Sequence, residues 1–153
     1  MENFSSTVLK TGVLAGTSDI VAACLQYYLQ TGKNPVNVLK FVASGIFGNA
    51  AFSGGAMMAF AGLLFHFLIT IGFTFLFFII YGKMKIARIS PVASAIVYGA
   101  FMWAFMQFGV MSFANTPPVK IHFLNAVTAI IILIVCIGLP VAFAARRYYA
   151  RQQ

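Results

Sequence analysis

Two ionisable groups of complementary kinds stand inside long apolar runs of this sequence. Asp19, in "LAGTSDIVAA", is the sole acidic residue after Glu2, and His66 stands in "GLLFHFLI". A carboxylate and an imidazole can exchange a proton, and histidine titrates near neutral pH. Together they could handle a proton or a cation. A carboxylate at the centre of a bilayer costs about 3 kcal/mol or more when nothing compensates it. It must pair, ionise into a hydrated cavity, or stay protonated. The bland alternative is structural: Asp19 bonds a neighbouring helix, His66 satisfies it, and nothing turns over.

Other residues offer weaker chemistry. Met102 and Met106 stand four apart, a spacing at which thioethers can hold Cu(I). Methionine also fills apolar packing, and no cysteine stands at a similar depth, so packing is expected. Cys24 and Cys136 lack metal-ligand spacing, and the rise along a helix separates their depths by roughly 13 Å, which argues against a disulfide. "VAAC" at 21–24 has the look of a lipoprotein cleavage box, but the apolar stretch before it is short and holds Asp19. We expect no cleavage there. No hydrolase elbow, phosphate loop or dinucleotide fingerprint occurs, so neither an enzyme nor a bound metal or cofactor is expected. Trp103 and Gln107 could line a ligand cavity, and His122, beside Lys120, suits a solvated position.

The elements that must position these groups follow from composition. Of 153 residues, 61% are hydrophobic and 8% charged, against about 25% charged in a soluble domain, so the chain cannot coat a soluble surface. The net charge of +8 would fit nucleic acid, yet the basic residues cluster between apolar runs, which is a membrane-topology pattern. We expect an all-α polytopic membrane protein, a single domain of four transmembrane helices at about 7–29, 56–81, 91–113 and 122–145, each near the roughly 20 residues that a crossing needs. Pro91 suits a first helical turn, and Pro140 should bend the last helix. Between helices 1 and 2, "GKNPVNVLKFVASGIFGNAAFSGG" opens with Asn34 as a cap before Pro35. It predicts a short amphipathic helix at about 35–48, with Leu39, Val42, Ala43 and Ile46 on one face and Asn37, Lys40 and Ser44 on another. An interfacial position and a re-entrant one are both open, with the Gly54-Gly55 pair as a hinge.

One side of the membrane receives Lys10, Lys83, Lys85, Arg88, Arg146, Arg147 and Arg151; the other receives Lys33, Lys40 and Lys120. The positive-inside rule then puts both termini in the cytoplasm. Tyr27, Tyr28, Tyr81, Tyr148 and Tyr149 fall near helix ends, where interfacial anchors belong. At 1.5 Å per residue, Asp19 lies roughly 15 Å from the cytoplasmic face and His66 roughly 14 Å from the outer one, so both sit near the midplane. The same counting puts Gln26, Gln107 and Asn125 in one polar layer toward the outside. Gly12, Gly16, Asp19, Ala23 and Gln26 share a side of helix 1, and Gly62, His66, Thr70 and Thr74 recur every four residues on helix 2. Small residues let membrane helices approach closely, so these stripes should meet with Asp19 facing His66. A hydrated path to the pair would run past Gln26, Thr70, Gln107 and Asn125. The expected partners are the lipid bilayer and a homo-oligomer or larger membrane assembly, with no nucleic acid.

"NPVNVLKFVASGIFGNAAFSGG", "GLLFHFLI", "YGAFMW" and the late "GLP" together give the chain, from about Gly12 to Arg147, a likeness to known proteins. It resembles small bacterial four-helix inner-membrane proteins catalogued as domains of unknown function. The resemblance implies a bacterial cytoplasmic membrane, a four-helix bundle, an acid in helix 1 and a histidine in helix 2, here Asp19 and His66. The turn after helix 3, "VMSFANTPP", departs from the Pro-Leu-Ser turn of that group. The resemblance brings no established activity.

Overall fold

Apolar runs this long leave the backbone little choice but helix, and the computed structural model, which describes residues 3–83, 90–111 and 123–152, contains no strand among them. Its elements are α1 (Phe4–Thr31), α2 (Val36–Phe47), α3 (Ala50–Ser53), α4 (Gly55–Lys83), α5 (Pro91–Ala104), α6 (Phe123–Leu133) and α7 (Leu139–Ala150). A π-helical turn, Phe105–Val110, continues α5, and a second, Ile134–Gly138, joins α6 to α7. Among the described residues, four helices are long and apolar enough to cross a membrane: Phe4–Thr31, Gly55–Lys83, Pro91–Val110 and Phe123–Ala150. The expectations for 112–113, for His122 and Lys120, and for Lys85 and Arg88 lie outside the described residues.

The first helix ends where Gly32, at φ +65°, gives its N–H to the Tyr28 carbonyl at 2.8 Å. A left-handed cap of this kind favours glycine. Asn34 then accepts the Val36 N–H at 3.0 Å, but α2 starts one residue later than expected, with Pro35 rather than Asn34 at its cap position. Gly55, at φ +63°, makes the expected hinge into α4.

Small residues decide how the helices meet. A Cβ on Gly12 would stand 3.1 Å from the Ile71 Cα, and one on Gly16 would stand 3.0 Å from the Phe67 ring, so α1 and α4 pack along the two stripes read from the sequence. A Cβ on Gly138 would stand 2.7 Å from the Ala95 carbonyl oxygen, which brings the third and fourth helices equally close. An aromatic core of Phe73, Phe77, Phe78 and Tyr98 fills the end of the bundle that holds Val141 and Ala145. Tyr98 donates to the Phe73 carbonyl at 2.6 Å and Tyr149 to that of Phe78 at 2.9 Å. Tyr81 is 3% exposed, stacked on Phe77 and Tyr149, so it serves the core rather than a surface. Outward, Leu14, Val21, Phe60, Leu68 and Val97 leave an apolar exterior.

The amphipathic helix forms as α2, but its buried face differs from the one expected. Ser44 and Ala43 are fully buried, while Ile46 is 59% exposed. The cause is backbone proximity: a Cβ on Gly62 would fall on the Leu39 carbonyl. At that separation size outranks polarity, and Ser44 spends its hydroxyl on the Phe41 carbonyl at 2.7 Å. The helix also leans along α4. Its first turn lies beside Cys24, whose Sγ is 3.7 Å from the Pro35 carbonyl, and its last residue stacks near Phe65.

Candidate functional site

The glycine stripe of α1 brings the acid and the base together. With no Cβ at Gly16, α4 approaches closely enough for His66 to reach the backbone of α1. His66 Nε2 lies 2.9 Å from the Gly16 carbonyl oxygen and 3.9 Å from Asp19 Oδ2. A carbonyl can only accept, so Nε2 carries the hydrogen. The shorter distance is a hydrogen bond; the longer exceeds one yet keeps the carboxylate within ion-pairing range. The two side chains are 12% and 13% exposed. One N–H therefore stands between two acceptors, and a closure of about 1 Å would carry it from the carbonyl to the carboxylate.

Neighbouring groups hold this arrangement. Thr70 gives its hydroxyl to the His66 carbonyl at 2.8 Å, and Thr74 gives its own to the Thr70 carbonyl at 2.9 Å. The threonine stripe thus bonds its own helix and leaves the imidazole to α1. Phe67 stands edge-on to the His66 ring at 5.6 Å. On the other flank of α1, the Ser18 hydroxyl lies 2.8 Å from the Leu14 carbonyl and reaches the Cys136 carbonyl at 3.3 Å. Cys136 precedes Pro140 by four residues, and a proline has no N–H to return to that carbonyl. Ser18 was not singled out from the sequence, although the proline four places beyond Cys136 was the signal that could have found its partner.

The remaining expected residues separate. Gln26 lies two turns beyond Asp19, in a cleft of about 510 Å³ with Gln30, Lys33 and Asn37. Gln107 is half-buried in the π-helical turn of the third helix, and Asn125 is exposed near the start of the fourth. Neither belongs to the α1–α4 contact. Met102 is buried in the core with Met106 packed against it, as the packing reading expected. Cys24 and Cys136 are free thiols, one beside Pro35 and the other at the level of Ser18. Among the described residues, no three His, Cys, Asp or Glu side chains gather as a metal site would need.

No family model, curated protein or solved structure matches the chain.

Proposed function

We propose that this chain is a small integral membrane protein that binds and passes a proton or a cation at the Asp19–His66 pair. The observation that carries the reading is the 3.9 Å approach of His66 Nε2 to Asp19, midway along two helices long and apolar enough to span a bilayer. Intramembrane carboxylates are costly, and their presence is a functional signal by default. The Gly16 carbonyl gives the imidazole hydrogen a resting acceptor, and Asp19 gives it a second. The excess of Lys and Arg on one side supports cytoplasmic termini, and the family resemblance supports a bacterial inner membrane.

A second reading has an observation of its own. The 2.9 Å bond from His66 to the Gly16 carbonyl joins α4 to α1 without any charge, so the pair could serve only to fix helix packing in an accessory subunit. Asp19→Asn separates the two. Wild-type protein in liposomes should dissipate an imposed proton or alkali-cation gradient faster than empty vesicles, and the variant should lose that flux while keeping its detergent stability. If the pair is helix glue, wild-type vesicles show no flux, and it is His66→Leu, which removes the bond to the Gly16 carbonyl, that unfolds at a lower temperature.

A further inference from the structure

Away from Asp19 and His66, two clefts flank α2 and share one residue, Phe41. The first is the cleft of about 510 Å³ between the end of α1 and the start of α2, lined by Gln26, Tyr27, Gln30, Lys33 and Asn37 among others. Among the described residues no acid lines it, and Lys33 is its charged group. The second, of about 450 Å³, runs between α2, α4 and the π-helical turn of the third helix. Ile46, Phe65, Leu68, Ile69 and Met106 are among its walls, and every lining residue is apolar or glycine.

The clefts lie at different levels. The first flanks α1 from Ala23 to Gln30, while the apolar one reaches Ile69 on α4, two residues past Phe67, which packs on Gly16. From Gln30 to Gly16 is 14 residues of helix, about 21 Å of rise. One leaflet contributes about 15 Å of hydrocarbon. A recess near the end of α1 thus adjoins, at Phe41, an apolar groove whose walls on α2, α4 and the third helix each run four or five residues, about 6–8 Å, and the two together reach about as deep as one leaflet.

We propose that the two clefts form one site for an anionic phospholipid of the leaflet at the α1–α2 turn. Lys33 and the amides of Gln26, Gln30 and Asn37 donate to the phosphate oxygens, and an acyl chain lies past Phe41 in the groove. A second copy of the chain packed there would leave the lysine and amides without acceptors, and a neutral lipid would not use Lys33. The site rests on placement in a membrane and is independent of the proton chemistry.

Native mass spectrometry of the detergent-solubilised full chain tests it, with phosphatidylglycerol and phosphatidylcholine of matched chains as probes. Wild type should retain one phosphatidylglycerol in preference to phosphatidylcholine. Lys33→Gln should weaken phosphatidylglycerol roughly fivefold, the worth of one near-surface charge, and leave phosphatidylcholine unchanged. Leu68→Trp, at an exposed wall of the groove, should weaken both lipids. Asp19→Asn should affect neither, which keeps this test separate from the flux assay. Equal retention of the two lipids by wild type and Lys33→Gln would overturn the head-group contact. Competition by glycerol 3-phosphate alone, or indifference to Leu68→Trp, would overturn the groove as the chain site.

Discussion

Three glycines on α1 and α4, two in helix contacts and one on an open face, should respond very differently to the addition of one methyl group. At Gly72 a Cβ meets nothing within 4 Å, so Gly72→Ala gains helix propensity of up to about 1 kcal/mol with no steric cost. At Gly16 the new carbon meets the Phe67 ring at 3.0 and 3.1 Å and the Thr70 methyl at 3.3 Å. A ring can give by a few tenths of an ångström, so Gly16→Ala should cost about 1 kcal/mol, at the low end for overpacking. At Gly62 the carbon would land on the Leu39 carbonyl, with the Ala43 nitrogen at 3.2 Å behind it. Backbone cannot turn aside, so α2 must lift from α4, at a cost of about 3 kcal/mol. At about 2–4 °C per kcal/mol for a chain of this size, Gly72→Ala and Gly62→Ala should melt on opposite sides of wild type. Labelling of the two free thiols with a thiol-reactive dye during a thermal ramp in detergent reads this out. Cys24 lies where α2 begins, so Gly62→Ala should also speed its labelling below the transition. A Gly62→Ala protein as stable as Gly72→Ala, with Cys24 no more reactive, would refute the backbone contact.

Removing the hydroxyl that reaches the Cys136 carbonyl, by Ser18→Ala, should cost about 0.6 kcal/mol, a typical interhelical hydrogen bond between membrane helices, in the same thermal assay. Thr70→Val should leave any gradient-driven flux within about twofold of wild type, because that hydroxyl bonds its own helix and a hydrogen bond so placed contributes little across the contact. A complete loss of flux in Thr70→Val would place the threonine on the conduction path. Tyr98→Phe should lower stability by about 1 kcal/mol through the lost bond to the Phe73 carbonyl, with no change in flux.

Much of the fold was legible because apolar length and glycine spacing are one-dimensional signals. Helix 1 was anticipated at 7–29 and runs over Phe4–Thr31; the meeting of Gly16 with the His66 stripe followed from small residues at helical spacing. The Gly16 carbonyl as the partner of His66 was not legible, since a backbone acceptor has no sequence signature. Nor was the buried face of α2. Hydrophobicity marked Ile46 for burial and Ser44 for exposure, whereas Gly62 admits only small residues to the contact. The polar layer of Gln26, Gln107 and Asn125 was drawn from depth alone, and depth says nothing about which way around the bundle a side chain faces. Gln26 consequently lies in the α1–α2 cleft, apart from the acid.

The account turns on one hydrogen between the Gly16 carbonyl and Asp19, and nitrogen-15 NMR of the His66 ring in bilayers observes it directly. His122 is replaced by glutamine so that a single imidazole remains. The account predicts a hydrogen on Nε2 shared between the two acceptors, so that the Nε2 resonance and its N–H coupling move in Asp19→Asn. An Nε2 hydrogen bonded to the Gly16 carbonyl alone, with the same spectrum in the variant, would contradict proton handling at the pair and leave His66 as a link between helices.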